Sequence, residues 1–273
     1  ATGQSRFLTV RNLQVATLQR AWEECVKGME FAINFLKNNV GIDSPTLLSS
    51  PFLMVTLGYH GYKRKYQIAA EESERLRHWV LIANAKGRYS RGSSETLLDQ
   101  DLATLQQDGG AEQLIERLRL QVGRLDVPPE ELEGRNQRSA LFKTMFLAFR
   151  DAGARDWRSN LAIALDHSGV QHRLQFHHIF PKAMLKGSYT SREADDIANL
   201  AFIGGKTNLA ISAKPPAQYF DAFIEKAGKG AFAAQCSPTS SDLLPVQNYK
   251  SFLAGRRKLI SQRLNEFLQT AAS

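Results

Sequence analysis

Two adjacent histidines, His177 and His178, lie in the apolar run "LQFHHIFPKAML" at residues 174–185. The chain has only six histidines in 273 residues, so a pair in one strand-like segment needs an explanation. Neighbouring strand residues point to opposite faces, and a packing role therefore does not account for both. A largely neutral imidazole suits both proton transfer and metal binding near neutral pH. We interpret the pair as one base and one metal ligand.

Two asparagines follow at the boundaries of the next predicted elements. Asn199 opens the β-like run "NLAFIGG", and Asn208 comes nine residues later in "GGKTNLAISAKPP", where a helix is predicted. The order is thus strand, loop, strand and helix. Phosphodiester hydrolysis requires a nucleophilic water, a base that takes its proton, and a cation that holds the phosphate charge. The pattern favours this chemistry.

The stretch "FHHIFPKAML…IANLAFIGGKTNLAISAKPP" resembles an HNH nuclease, also called the ββα-metal or His-Me finger fold. More specifically, residues 174–218 resemble the C-terminal nuclease domain of GmrSD-type, modification-dependent restriction and anti-phage defence proteins. A weaker similarity to the helical segment before that nuclease covers "LSSPFLMVTLGYHGY" and "GRYSRGSSETLLDQDL". Members of this family begin with a ParB-like nucleotide-hydrolysing domain. We expect that domain to be missing from a chain that starts at Ala1.

The resemblance implies a role for each residue of the motif. His178 matches the general base, and Asn199 matches the central asparagine that ties the hairpin together and orients the base. Asn208 matches a metal ligand, and His177 stands where many HNH enzymes place a metal-binding Asp. Because histidine replaces a negative charge, we expect Mn²⁺ to support activity at least as well as Mg²⁺, with Ni²⁺ and Zn²⁺ as further candidates.

The predicted substrate is DNA, foreign or modified, cut by nicking. Two alternatives are an HNH fold that binds DNA without cutting it, and a nuclease that acts on RNA. Lys182, Lys206 and Lys214 flank the motif, and phosphate contacts or simple solvation explain them equally well. Asp195 and Asp196 lie in the connection between the strands, where a turn or cap role is favoured over an approach to the metal.

Positive charge is concentrated around the motif. Residues 131–273 hold 19 Lys and Arg against 12 Asp and Glu, whereas residues 1–130 hold 16 against 15. Basic surface attracts polyanions, although solubility alone would also explain it. We interpret four basic residues of the last predicted helix as a solvated face rather than a DNA track. They are Arg256, Arg257, Lys258 and Arg263.

Helical periodicity dominates the remainder and predicts a mainly α protein. A helical spacer or docking domain is expected over 1–130 and the nuclease domain over 131–273, with a Pro- and acid-rich linker at 125–139. Trp22, Trp79 and Trp157 fall on apolar stripes and are predicted to be core. The segment "KGRYSRGSSE", 86–95, is read as an interdomain contact or a DNA-facing loop.

Composition excludes several classes of protein. With 43% hydrophobic residues, the chain can form a globular core, and its apolar runs are too short for a membrane span. The two cysteines do not make a disulfide framework or a Cys-based zinc site. No secretion signal opens the sequence, so a cytoplasmic location is expected.

Overall fold

The computed structural model describes residues 3–5 and 10–269, and divides into two compact units. One unit extends to Asp126 and includes the chain end from Leu268; the other is Val127–Phe267. The described residues are mainly helical, with one small antiparallel sheet in the second unit. None of the described helices has both the length and the apolar composition needed to cross a membrane.

The first unit is built from five helices in the described part of the chain. They are α1 (Val15–Phe35), α2 (Phe52–Lys63), α3 (Ala70–Lys86), α4 (Ser94–Gln106) and α5 (Ala111–Val122). A π-helical turn extends α1 to Val40, and Gly41 then ends it with a left-handed φ of 78°. Glycine suits this helix end, because it adopts the left-handed conformation without steric cost.

Helices α1 and α2 approach each other through small residues. A Cβ added at Gly58 would lie 2.9 Å from the carbonyl oxygen of Gly28, so these backbones are nearly in contact. The buried side of α1 is consequently the one that carries Gly28, Ala32 and Phe35. The prediction that Trp22 is core is wrong: its side chain is 70% exposed. The apolar residues of α1 do recur with helical spacing. The close crossing with α2, however, buries a different face of the helix from the one that carries Trp22.

A buried ion pair lies inside the first unit. Asp101 accepts hydrogen bonds from Arg88 Nη2 at 2.7 Å and from Tyr89 Oη at 2.7 Å, and Tyr89 Oη is also 2.5 Å from Thr56 Oγ1. Arg88 and Tyr89 are 1% and 4% exposed. The expectation of a DNA-facing loop at 86–95 is therefore wrong for these two residues, since an internal carboxylate binds both.

The second unit contains the remaining described elements. They are α6 (Ala140–Asp151), β1 (Leu174–His178), α7 (Lys182–Leu185), α8 (Ser191–Ala194), β2 (Leu200–Gly204), α9 (Gly205–Ile211), α10 (Pro216–Ala227), α11 (Lys229–Ala233) and α12 (Tyr249–Gln269). Val127 and Leu132, inside the predicted linker, are fully buried. That segment thus contributes to the core of the second unit, although the boundary between the units falls within it.

Strands β1 and β2 pair antiparallel, with Leu174 opposite Gly204 and His178 opposite Leu200. Every residue of β2 is buried, as its unbroken apolar sequence predicts for a strand covered on both sides. Phe202 of β2 contacts the rings of Phe142, Phe146 and Phe149, all on α6. Helix α6 therefore packs against the sheet through these rings.

Two arginines of α12 are internal. Arg256 is fully buried and donates to the carbonyl oxygens of Cys236, Ala198 and Gln235 at 2.8–3.2 Å. Arg257 donates to the buried carboxylate of Asp196 at 2.6 Å. The interpretation of Arg256 and Arg257 as part of a solvated face is wrong, because both satisfy acceptors inside the fold. Lys258 is exposed and Arg263 is half-buried.

Candidate active site

The two predicted metal ligands, His177 and Asn208, meet side by side. His177 Nδ1 is 2.8 Å from Asn208 Oδ1, across 31 residues of sequence. Strand β1 carries the histidine, β2 runs antiparallel beside it, and α9 begins directly after β2. The short β2–α9 junction turns Asn208 back towards β1. The strand–strand–helix order expected from the sequence is thus present, and it brings these two side chains together.

Asp156 fixes the junction between β2 and α9. Its carboxylate accepts hydrogen bonds from Gly204 N and Thr207 Oγ1, both at 2.7 Å, and from Ser159 N and Oγ. Burial alone would raise the pKa of Asp156, but these hydrogen bonds lower it below its usual value. Sequence reasoning missed this residue. The Asp156–Ser159 spacing indicates a local turn, but nothing in the sequence indicates a partner 48 residues away.

His177 is held neutral. It is 4% exposed, and burial lowers its pKa to about 4, against an opposing contribution from the Asn208 hydrogen bond. The charged form is disfavoured because the low-dielectric surroundings solvate it poorly. At neutral pH one ring nitrogen therefore carries a proton and the other has a lone pair, as a metal ligand requires.

His178 faces a different set of partners. Its Nε2 is 3.0 Å from Asp195 Oδ1, and the same oxygen is 2.6 Å from Lys182 Nζ. Burial, together with the Lys182 charge, lowers the pKa of His178 despite the neighbouring carboxylate. In the neutral ring, donation from Nε2 to Asp195 leaves a lone pair on Nδ1. That is the protonation state that a general base needs.

For Asp195 the sequence favoured a turn or cap role over an approach to the site. It does end helix α8, but its carboxylate also binds His178 and Lys182. Burial raises the pKa of Asp195, and the two basic partners more than offset this, so the group is ionised. Its neighbour Asp196 has the predicted cap role, because it accepts from Ala198 N at 2.8 Å.

Asn199 ties the two strand ends together. Its side chain is fully buried, accepts from Phe180 N at 2.9 Å and donates to Phe180 O at 3.0 Å. It also donates to Ala194 O at 3.0 Å. One amide thus pairs with both backbone groups of Phe180, two residues after His178. This fixes the direction of the chain as it leaves β1.

The three predicted DNA-binding lysines are exposed but differently engaged. Lys182 forms an ion pair with Asp195, and Lys214, which follows α9, donates from Nζ to Ala210 O at 3.3 Å near the end of that helix. Lys206 lies in the first turn of α9, two residues before Asn208. A 390 Å³ cavity elsewhere in the second unit, lined in part by Cys236, Leu259 and Arg263, contains none of the predicted site residues.

The separation of His177 Nδ1 from Asn208 Oδ1 is close to the spacing of neighbouring ligands around a divalent cation. Ligands about 2.1 Å from an octahedral ion lie about 3 Å apart when adjacent, close to the 2.8 Å between Nδ1 and Oδ1. Among the described residues, no group of three or more His, Cys, Asp or Glu is arranged to hold a metal. A cation held by this pair would have two neutral protein donors, and water and phosphate oxygens would have to complete its coordination.

Comparison of the chain with models of known protein families finds no match, and comparison with curated proteins finds none either.

Proposed function

We propose that the protein is a metal-dependent DNA endonuclease of the HNH type that nicks one strand. The observation that carries the proposal is the convergence of His177 Nδ1 and Asn208 Oδ1 within 2.8 Å, on a strand–strand–helix unit. The hydrogen bond between His178, at the end of β1, and Asp195, at the end of α8, supports it. A phosphodiester hydrolase needs both features: a seat for a cation and an oriented base.

Each residue then has a definite task. His177 and Asn208 would hold Mn²⁺ or Mg²⁺, with Ni²⁺ and Zn²⁺ as further candidates; the bound ion supplies charge stabilisation at the phosphate. His178 takes the proton of the attacking water at Nδ1, while Asp195 holds the opposite ring nitrogen. Asn199 keeps the end of β1 in place. Lys206 contacts a neighbouring phosphate.

The wider biological setting follows from the family resemblance. The chain would be the effector part of a cytoplasmic restriction or anti-phage defence protein that acts on foreign or modified DNA. Sensing and nucleotide hydrolysis would belong to a ParB-like domain of the same full-length protein. The helices of the first unit would dock on that domain. Binding of the isolated residues 1–130 to that domain is the direct measure of this docking role.

Plasmid nicking tests the proposed function. Supercoiled plasmid is incubated with the full chain and Mn²⁺ or Mg²⁺ in separate arms, and relaxed circles are quantified over time. We expect the wild type to nick, and His178→Ala to be at least about 100-fold slower, because loss of a general base typically costs that much. His172→Ala, at an exposed histidine in the same unit, is the matched control and retains activity.

Three results would contradict the proposal in distinguishable ways. Equal nicking by wild type and His178→Ala indicates a contaminating nuclease. DNA binding without nicking indicates the binding-module alternative. Cleavage of a structured RNA in a parallel reaction, with plasmid left intact, indicates the RNA nuclease.

A further inference from the structure

The hydroxyl of Tyr219, on helix α10, lies behind the predicted ligand His177. Tyr219 is 2% exposed, its Oη is 3.4 Å from His177 Nε2, and it donates to the carbonyl oxygen of Ile179 at 3.2 Å. The two rings meet at 74° with centroids 6.1 Å apart. The hydroxyl thus sits between the imidazole and the backbone that follows β1, away from water.

The position of one proton decides what His177 can bind. If the proton is on Nδ1, it is donated to Asn208 Oδ1, and Nε2 must compete with Ile179 O for the single phenol proton. If the proton is on Nε2, it is donated to Tyr219 Oη, and the phenol proton goes to Ile179 O alone. In this second arrangement Nδ1 and Asn208 Oδ1 both present lone pairs. Two lone-pair-bearing atoms 2.8 Å apart repel each other unless one cation binds both.

We propose that Tyr219 is a positioning residue: it accepts the Nε2 proton of His177 and so directs Nδ1, together with Asn208 Oδ1, to one divalent cation. This inference rests on the metal site of the proposed function and deepens it, because it names the ligating atom. Metal-binding histidines ordinarily donate their second N–H to a partner that fixes the tautomer. Tyr219 is the buried group within reach of Nε2 among the described contacts.

Cation binding then involves a tautomer change with no net proton release. Without the ion, the Nδ1–H group of His177 donates a hydrogen bond to Asn208 Oδ1, and this bond keeps the two side chains side by side. With the ion, the Nδ1–H bond is broken and an Nε2–H bond forms. The imidazole stays neutral throughout, and the phenol keeps its proton. With the ion, Tyr219 Oη accepts a hydrogen bond from His177. Without the ion, its own proton is shared between His177 Nε2 and Ile179 O.

Nitrogen-15 NMR of the full chain labelled at histidine tests the tautomer directly. The imidazole signals of His177 are assigned by their loss in His177→Ala, and spectra are recorded with and without Zn²⁺. We expect Zn²⁺ to shift Nδ1 to a metal-bound position and to leave the proton on Nε2. A metal-bound Nε2, or the absence of any Zn²⁺ effect on His177, overturns the inference without reference to DNA cleavage.

Calorimetric Zn²⁺ titration tests the part played by Tyr219. Tyr219→Phe is expected to weaken binding about 10-fold or more, the usual effect of removing a partner of a ligating histidine. Tyr249→Phe is the matched control, because it also removes a buried phenol hydrogen bond in the second unit, to Glu193 O at 2.7 Å, and it should bind Zn²⁺ normally. Unchanged affinity in Tyr219→Phe contradicts the inference.

The two proposals fail separately. Zn²⁺ bound through Nδ1 by a protein that does not nick plasmid leaves this inference standing and removes the nuclease. Nicking by a protein that binds Zn²⁺ through Nε2 of His177 overturns this inference and leaves the nuclease proposal standing.

Discussion

Two nearly isosteric residues, Asp156 and Asn199, have opposite hydrogen-bonding tasks at the edges of the site. Around Asp156 every described partner is a donor: the backbone N–H groups of residues 158, 159 and 204 and two hydroxyls. Around Asn199 two of the three partners are carbonyl oxygens. A carboxylate suits the first site and an amide the second, because buried groups must match their partners. Replacing Asp156 by Asn would set an N–H donor against other donors, and replacing Asn199 by Asp would set a carboxylate oxygen against carbonyl oxygens.

Asp156→Asn should therefore destabilise the second unit by about 3 kcal/mol at pH 7, the cost of opposing a buried N–H donor with an amide NH₂ and losing charge-assisted bonds. The folded-state pKa of Asp156 is depressed below 3.8, so its stabilisation is present above the unfolded value. It is lost as the pH falls through the lower, folded value. Urea unfolding of both proteins at several pH values measures the difference, which should shrink only below about pH 4.

Asp151→Asn is the control for this experiment, because Asp151 is exposed at the end of α6. A wild-type advantage over Asp156→Asn that stays constant down to pH 2.5 would show that the carboxylate is not the source of the effect.

At the level of elements, the start of helix α9 determines where Asn208 points. Gly205 N donates to Arg173 O at 3.1 Å and Lys206 N to Gln171 O at 2.8 Å, so the segment before β1 accepts the first N–H groups of the helix. This packing requires glycine: a Cβ at Gly205 would lie 2.2 Å from the carbonyl oxygen of Val170. The helix that carries a predicted ligand is thus fixed at its first residue by backbone contacts.

Gly205→Ala should destabilise the protein by about 2 kcal/mol, since backbone must move to relieve the overlap. It should also weaken Zn²⁺ binding, because the shift reaches Asn208 three residues later. Denaturant unfolding and calorimetry measure the two effects. Gly230→Ala, in α11, is the control: its Cβ would meet nothing within 4 Å, so a neutral or slightly stabilising effect is expected. Similar behaviour of the two variants would refute the steric argument.

For the whole molecule, several of the cations counted in the sequence lie inside the fold and are not available to a partner. Arg88, Arg256 and Arg257 are internal and bind carboxylates or carbonyl oxygens of the fold. Attraction to a polyanion must come from exposed groups such as Lys206 and Lys258. Composition therefore indicates the sign of the charge, but only the fold separates structural cations from those available to a partner.

Asp101→Ala should destabilise the first unit by about 3–5 kcal/mol, because it leaves the Arg88 charge buried without its partner. Fluorine NMR of a 5-fluorotryptophan-labelled chain is suited to the measurement, since Trp79 lies in the first unit and Trp157 in the second. The Trp79 signal should be lost at lower urea than in the wild type. Glu95→Ala, at an exposed position of the same helix, should leave it unchanged. An unaltered Trp79 midpoint in Asp101→Ala would mean that the ion pair contributes little.

Much of the local structure was predictable from the sequence. Gly41 ends the first long helix, Ser93 caps α4, and "LQFHH" and "LAFIG" are the two strands. The helix after the second strand carries Asn208, as the sequence predicted. These features follow from turn chemistry, capping and periodicity, which act between residues close in the chain. The mainly helical character and the order of elements are therefore properties of the sequence itself.

Contacts between distant segments required the tertiary structure. Trp22 is exposed and Arg256 is buried, the reverse of what their residue types suggest. The contacts of Asp156 with Gly204, of Asp195 with His178 and of Tyr219 with His177 join segments that are far apart in the sequence. Periodicity shows which face of a helix is apolar but not which element covers it, and a buried polar group is stable only when remote partners satisfy it. Those partners are defined only once the chain has folded.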